Sequence, residues 1–135
     1  MKILAIDFGE KRVGFAIGDT ELGIPTPLNP FKRSKPGSEI EYIKKLISEY
    51  EVNKIVLGYP LNMDGTESNF SRRIKNFRKK LAGETDMEIE LLDERLTSFE
   101  AEEMIKPLKK QLRKKKEILD SIAALVILNE FMVKK

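Results

Sequence analysis

The sequence predicts an α/β fold built on a mixed five-stranded sheet flanked by helices. Strands one to three form an antiparallel meander, and strands four and five run parallel to the first. Three observations lead there. The first two apolar runs, Lys2 to Asp7 and Arg12 to Gly18, are separated only by Phe8-Gly9-Glu10-Lys11, a turn-sized gap that favours a hairpin. Each later apolar run, Lys54 to Gly58 and Glu88 to Asp93, follows a stretch with helical spacing, and a helical crossover makes strands parallel. The chain then closes on an apolar helical segment. Its 135 residues fit one domain, in which roughly 68–70% of the unfolded surface can be buried.

Taken in order, Lys2 to Asp7 is almost continuously apolar, as in a strand covered on both faces. A third strand around Ile24 to Phe31 carries prolines, which belong at a sheet edge because they donate nothing to a ladder. Ser38, answered by Glu41, predicts a capping box for a helix whose apolar positions are Ile40, Ile43, Leu46, Ile47 and Tyr50. Pro60 and Asp64-Gly65 mark a loop. A second helix from about Glu67 carries Phe70, Ile74, Phe77 and Leu81 on one face, and Gly83 predicts its end. Thr97 and Glu100 predict a second capping box, for a short helix ended by Pro107. Glu117 to Val133 is the last helix, apolar on most of its circumference. This is the element order of the ribonuclease H-like fold, with strand one central because strands two and four can both flank it.

Composition narrows the chemistry. The chain has no cysteine and no histidine, which excludes a thiolate nucleophile, a Ser-His-Asp relay and a Cys/His zinc site. Metal ligation or proton transfer falls to carboxylates and other oxygen donors, the chemistry of hard cations. The zero cysteine count and the lack of an export signal or long apolar run lead us to expect a cytoplasmic protein with no membrane partner. Net charge is +3, yet seven cations and no acid lie between Lys106 and Lys116. The rest of the chain holds 18 basic against 22 acidic residues, a net −4. Positive charge concentrated in this way, on Lys109, Lys110, Arg113, Lys114 and Lys115 among others, points to a local anionic partner.

Three acids sit where chemistry could use them. Asp7 ends the central strand, Asp93 and Glu94 end the fifth, and Asp120 opens the last helix ahead of the small residues Ala123 and Ala124. Strands one and five are parallel, so their ends share one side of the sheet. Whether Asp93 or Glu94 faces Asp7 depends on register. Converging carboxylates repel one another unless cations hold them. Two Mg²⁺ or Mn²⁺ ions about 3.5–4 Å apart would relieve that repulsion and clamp the oxygens of a phosphodiester in an in-line displacement. The hairpin Asp7 to Gly14, with Lys11 and Arg12 at its turn, reads as a phosphate-facing element.

The blocks IDFGEKRVGFAIGD (6–19), VLGYPLNMDGTES (56–68), LDERLTSFEAE (92–102) and DSIAALVIL (120–128) resemble the signature blocks of the YqgF/RuvX family. They occur in the family's order over almost the whole chain. The resemblance implies a ribonuclease H-like fold related to the RuvC Holliday-junction resolvases. It also implies a nuclease assigned to maturation of the 5′ end of pre-16S ribosomal RNA, with four-way DNA junctions as the alternative substrate. By similarity Asp7, Glu94 and Asp120 become the metal-binding catalytic acids. Asn62, Thr66, Arg95 and Thr97 become substrate-positioning residues. The fourth strand ends Gly58-Tyr59-Pro60 without the acid that this fold commonly carries there, so Glu94 must reach across from the fifth. Two readings of other classes compete. One is a nucleic-acid-binding module that needs no metal. The other is an ATPase of the actin or sugar-kinase type, for which one 135-residue lobe is too little. A monomer or a homodimer is compatible with the nuclease reading.

Overall fold

The computed structural model describes residues 1–62, 64–94, 103, 106–107 and 121–134. Strands β1 (Lys2–Phe8), β2 (Arg12–Asp19), β3 (Thr26–Lys32), β4 (Lys54–Tyr59) and β5 (Ile89–Asp93) form one sheet in the order β3-β2-β1-β4-β5. The pairs β1–β2 and β2–β3 are antiparallel, and β1–β4 and β4–β5 are parallel. This is the mixed sheet expected, with β1 at its centre. Its prolines hold β3 at the edge. Pro27 lies opposite Ala16, and Pro30 falls where the β2–β3 register shifts, between the pairs Val13–Phe31 and Phe15–Leu28.

Strict alternation along β1 divides the core in two. Leu4, Ile6 and Phe8 join the cluster formed with helices α1 (Ser38–Tyr50) and α2 (Asn69–Thr85). Ile3 and Ala5, with Ala16, Val56 and Leu92, pack against α3 (Ile122–Lys134) on the other face. Small residues let α3 lie close. A methyl group at Gly18 would stand 3.0 Å from Cδ2 of Leu128. The last helix is buried on most sides, as its composition predicts, although of the two alanines Ala124 is buried and Ala123 exposed.

Three helix boundaries differ from expectation. Ser38 does not cap α1, because its hydroxyl donates to the Lys35 carbonyl at 2.7 Å, and Gly37, at φ 84°, precedes the helix instead. In α2 the capping box is Ser68 with Ser71. Each hydroxyl accepts the other residue's N–H, at 3.0 and 2.7 Å. Gly83 does not end α2. The terminal bonds come from the Thr85 hydroxyl to Leu81 and the Asp86 N–H to Ala82, and they require the residues around Gly83 to be helical. Of the short helix predicted after Thr97, Glu103, Lys106 and Pro107 are helical, while its predicted capping box lies outside the described residues. Among the described residues no helix is long and apolar enough to cross a membrane.

Candidate active site

Asp7 sits one residue before the end of β1 and on the α3 face, in step with Ile3 and Ala5. Its β2 partner is Gly14. On the other side the β1–β4 register runs from Ile3–Lys54 to Ile6–Leu57, which sets Asp7 level with Gly58. The carboxylate is thus flanked by two glycines. On β5, Gly58 pairs with Leu92 and Tyr59 with Asp93. Leu92 faces α3 and Tyr59 faces the opposite core, so Glu94, two residues after Leu92, falls on the Asp7 side.

Glu94 fills the space a side chain at position 58 would need. A methyl group on Gly58 would lie 3.1 Å from both Cδ and Oε1 of Glu94, and 2.6 Å from Cδ1 of Ile127. Gly58 is therefore the opening through which Glu94 reaches across β4 toward Asp7. The two acids feel each other. Burial holds the Asp7 carboxyl above the usual carboxylate range. Glu94 is pushed up to about 7, first by burial and then by the negative charges of Asp7 and Asp93. A partly buried pair of carboxylates, over a cradle with no side chain in it, fits a hard divalent cation by donor type and charge. Among the described residues no group of three or more such ligands assembles.

The β1–β2 turn is held from below. Its Gly9 N–H donates to the Arg12 carbonyl at 3.0 Å, and a methyl group at Gly9 would stand 2.5 Å from that oxygen. Arg33 donates from Nη1 to the carbonyls of Gly9 and Glu10 at 3.1 and 3.2 Å, lies 4.4 Å over the Phe8 ring, and pairs with the buried Glu39 at 3.7 Å. Lys11 and Arg12 are exposed on this turn, beside Asp7 in the fold. In the loop after β4, Asn62 and Thr66 bond each other, Nδ2 to Oγ1 at 3.0 Å, and the Thr66 hydroxyl donates to Asp64 at 2.6 Å. That loop leaves the same end of the sheet as Asp7.

The start of α3 is fastened beside the site. Ser121 is fully buried, accepts the Phe15 N–H at 3.1 Å and donates to the Leu28 carbonyl at 2.6 Å. Its hydroxyl thus bridges the point where the β2–β3 register shifts, one residue from Gly14. Asp120, Arg95, Thr97, Lys109, Lys110, Arg113, Lys114 and Lys115 lie outside the described residues. Sequence reasoning passed over Gly58, Arg33 and Ser121. Only Gly58 left a signal, a glycine inside an otherwise apolar buried strand, which marks a close approach.

Known proteins resemble this chain in sequence and in fold. A family model described as "RuvX: Holliday junction resolvase" matches residues 1–134. A protein of Maridesulfovibrio salexigens named "Putative pre-16S rRNA nuclease" is 37% identical over 134 residues, 99% of each chain. One of the same name from Chloroflexus aggregans is 38% identical over 130 residues, 96% of this chain and 92% of its own. Among solved structures, Thermus thermophilus RuvC superposes with a TM-score of 0.62 at 12% identity, over 99% of this chain and 95% of that one. The fowlpox virus Holliday junction resolvase gives 0.60 at 16% identity, over 99% of both chains. The structural likeness bears out the ribonuclease H-like fold that the element order predicts. With the family model matched over residues 1–134 and its relatives covered almost end to end, this chain belongs to the RuvX family.

Proposed function

We propose that this protein is a divalent-metal-dependent nuclease that hydrolyses phosphodiester bonds in structured RNA, acting in 5′-end processing of pre-16S ribosomal RNA. One observation carries the reading. Two carboxylates from distant parts of the chain, Asp7 and Glu94, come together beside the bare backbone of Gly58, close enough that the charge of Asp7 helps to raise Glu94. The name of the Maridesulfovibrio relative supports the RNA substrate.

In this reading Asp7 and Glu94 hold Mg²⁺ or Mn²⁺. By the family resemblance, Asp120 would add a third carboxylate. When bound, such ions neutralise charge developing on the phosphate and help to deprotonate the attacking water. Lys11 and Arg12, on the turn beside Asp7, attract the phosphate and steer the strand toward the acids. The bonded pair Asn62 and Thr66 shapes the neighbouring wall. Arg95, Thr97 and the basic run carrying Lys109, Lys110, Arg113, Lys114 and Lys115 extend the contact with the substrate. The description of the family model favours one second reading, cleavage of four-way DNA junctions.

The test is a cleavage panel of precursor ribosomal RNA, linear duplex and four-way junction, each with Mg²⁺ or Mn²⁺ and with chelator. The expected result is metal-dependent cutting of the precursor, reduced by about a hundredfold or more in Asp7→Asn while RNA affinity is kept or rises. Undiminished cutting by Asp7→Asn would remove the proposed metal site. Preferential cutting of the junction would replace RNA by branched DNA.

A further inference from the structure

The outward face of α2 carries no acid between positions 72 and 80; its one exposed acid, Glu84, lies in the last turn and pairs with Lys44 of α1. Between positions 72 and 80 it has seven exposed residues, of which six are cationic and the seventh is Asn76. Helix α1 is the contrast within the same molecule. Its exposed surface mixes Glu41, Glu49 and Lys45, the pattern of a solvated helix. Arg72, Lys75, Asn76 and Lys79 are spaced i, i+3, i+4, i+7, so they form a single stripe. With Arg78 and with Leu91 of β5, that stripe lines a groove of about 460 Å³.

The lining of the groove suits a polyanion. Its one aliphatic lining residue is Leu91, too little for an apolar partner. Arg78 donates from Nε to the Ile89 carbonyl at 3.1 Å and ties the helix to the sheet edge. One carboxylate, Glu67, pairs with Arg72 at 3.8 Å and with Lys75, at the end nearest the β4 loop. At the other end Arg78 also borders Glu88 and Glu90, but those carboxylates pair with Lys54 at 3.6 and 3.3 Å. Arg73, on the flank of α2 outside the groove, pairs with Glu10 of the β1–β2 turn at 3.7 Å, so the cationic helix reaches the end of the sheet at which β1 and β4 finish.

We propose that the groove between α2 and β5 is a second phosphate-binding surface, which holds the backbone of the substrate strand as it leaves the Asp7–Glu94 site. The proposal takes the identity of the strand from the nuclease reading, but it does not depend on metal or on cleavage. From Arg72 to Lys79 the helix rises about 10 Å. That length matches about three nucleotides of a stacked strand at ~3.4 Å each. Contacts of this kind read charge and not base, so the surface adds affinity without sequence preference.

The test is the salt dependence of binding to a labelled single-stranded RNA, measured by fluorescence anisotropy in chelator so that nothing is cut. Lys79→Ala should lower the slope of log affinity against log salt by about 0.7. Asn76→Asp, which puts a carboxylate into the stripe, should weaken binding several-fold at low salt. Lys45→Ala, an exposed cation of α1, should change neither quantity. If Lys79→Ala and Lys45→Ala behave alike, or Asn76→Asp binds as the unaltered protein does, the groove is not a phosphate site. Because binding is read without metal, that outcome beside metal-dependent cutting removes the groove and leaves the nuclease. A reduced slope in a protein that never cuts does the reverse.

Discussion

At Gly58 the strand passes beneath Glu94 and Ile127 with no room for a methyl group, 3.1 Å from the carboxyl carbon and 2.6 Å from Cδ1. Gly58→Ala therefore forces either the helix side chain or the acid to move. Overpacking of this kind costs about 1–3 kcal/mol. We expect that loss in urea denaturation, together with weaker divalent-ion binding, because the displaced group includes Glu94. Stability and ion binding equal to those of the unaltered protein would show that Glu94 does not use the opening. Asp7 was legible in the sequence, since an acid closing an apolar strand stands out by itself. The choice between Asp93 and Glu94 was not. It rests on the β4–β5 register, which pairs Asp93 with Tyr59 and puts Glu94 on the other face. Gly58 was visible as an oddity, but its meaning needs a residue 36 positions further along the chain.

The elements themselves were largely readable, because apolar runs and helical spacing are local. Their ends were less so. Ser38 and Gly83 carry the right residue types for a cap and a stop, but the Ser38 hydroxyl is used by the turn before α1, and the cap bonds of α2 form beyond Gly83. Competing local hydrogen bonds decided both. Ser121 shows a longer-range version of the same effect. Its hydroxyl spans 106 residues in sequence to reach the Phe15 N–H and 93 to reach the Leu28 carbonyl. Ser121→Ala leaves the buried Phe15 N–H without that partner, at about 1–3 kcal/mol, and removes the donor to the half-buried Leu28 carbonyl. Hydrogen exchange should find the Phe15 amide markedly less protected, with β3 and the start of α3 loosened together. Unchanged protection at Phe15 would show that the β2–β3 pairing does not need the hydroxyl.

For the whole molecule, topology followed from simple rules. A hairpin, an edge strand with prolines and two helical crossovers leave few arrangements besides β3-β2-β1-β4-β5. The site forms where the central parallel strands end, so its position was implied by the sheet before any side chain was considered. Its electrostatics were not, because burial and mutual repulsion arise only when distant acids meet. They make the fold sensitive to protons in a definite direction. Glu94 is raised from 4.5 to about 7, so it binds its proton more tightly in the folded state. Its contribution is fully present below pH 4.5 and is lost as pH rises through about 7. Replacing it by Gln should remove that dependence, so that Glu94→Gln is the more stable protein at pH 8 in chelator and the difference closes as the medium is acidified.

The most direct measurement of the central claim is the thermal unfolding midpoint at pH 8, with Mn²⁺ and with chelator, for the unaltered protein, Asp7→Asn and Glu94→Gln. If the two carboxylates hold a divalent ion, Mn²⁺ raises the midpoint of the unaltered protein, the increase grows with ion concentration, and it is small or lost in both variants. An equal rise in all three proteins, or none in any, would contradict the claim.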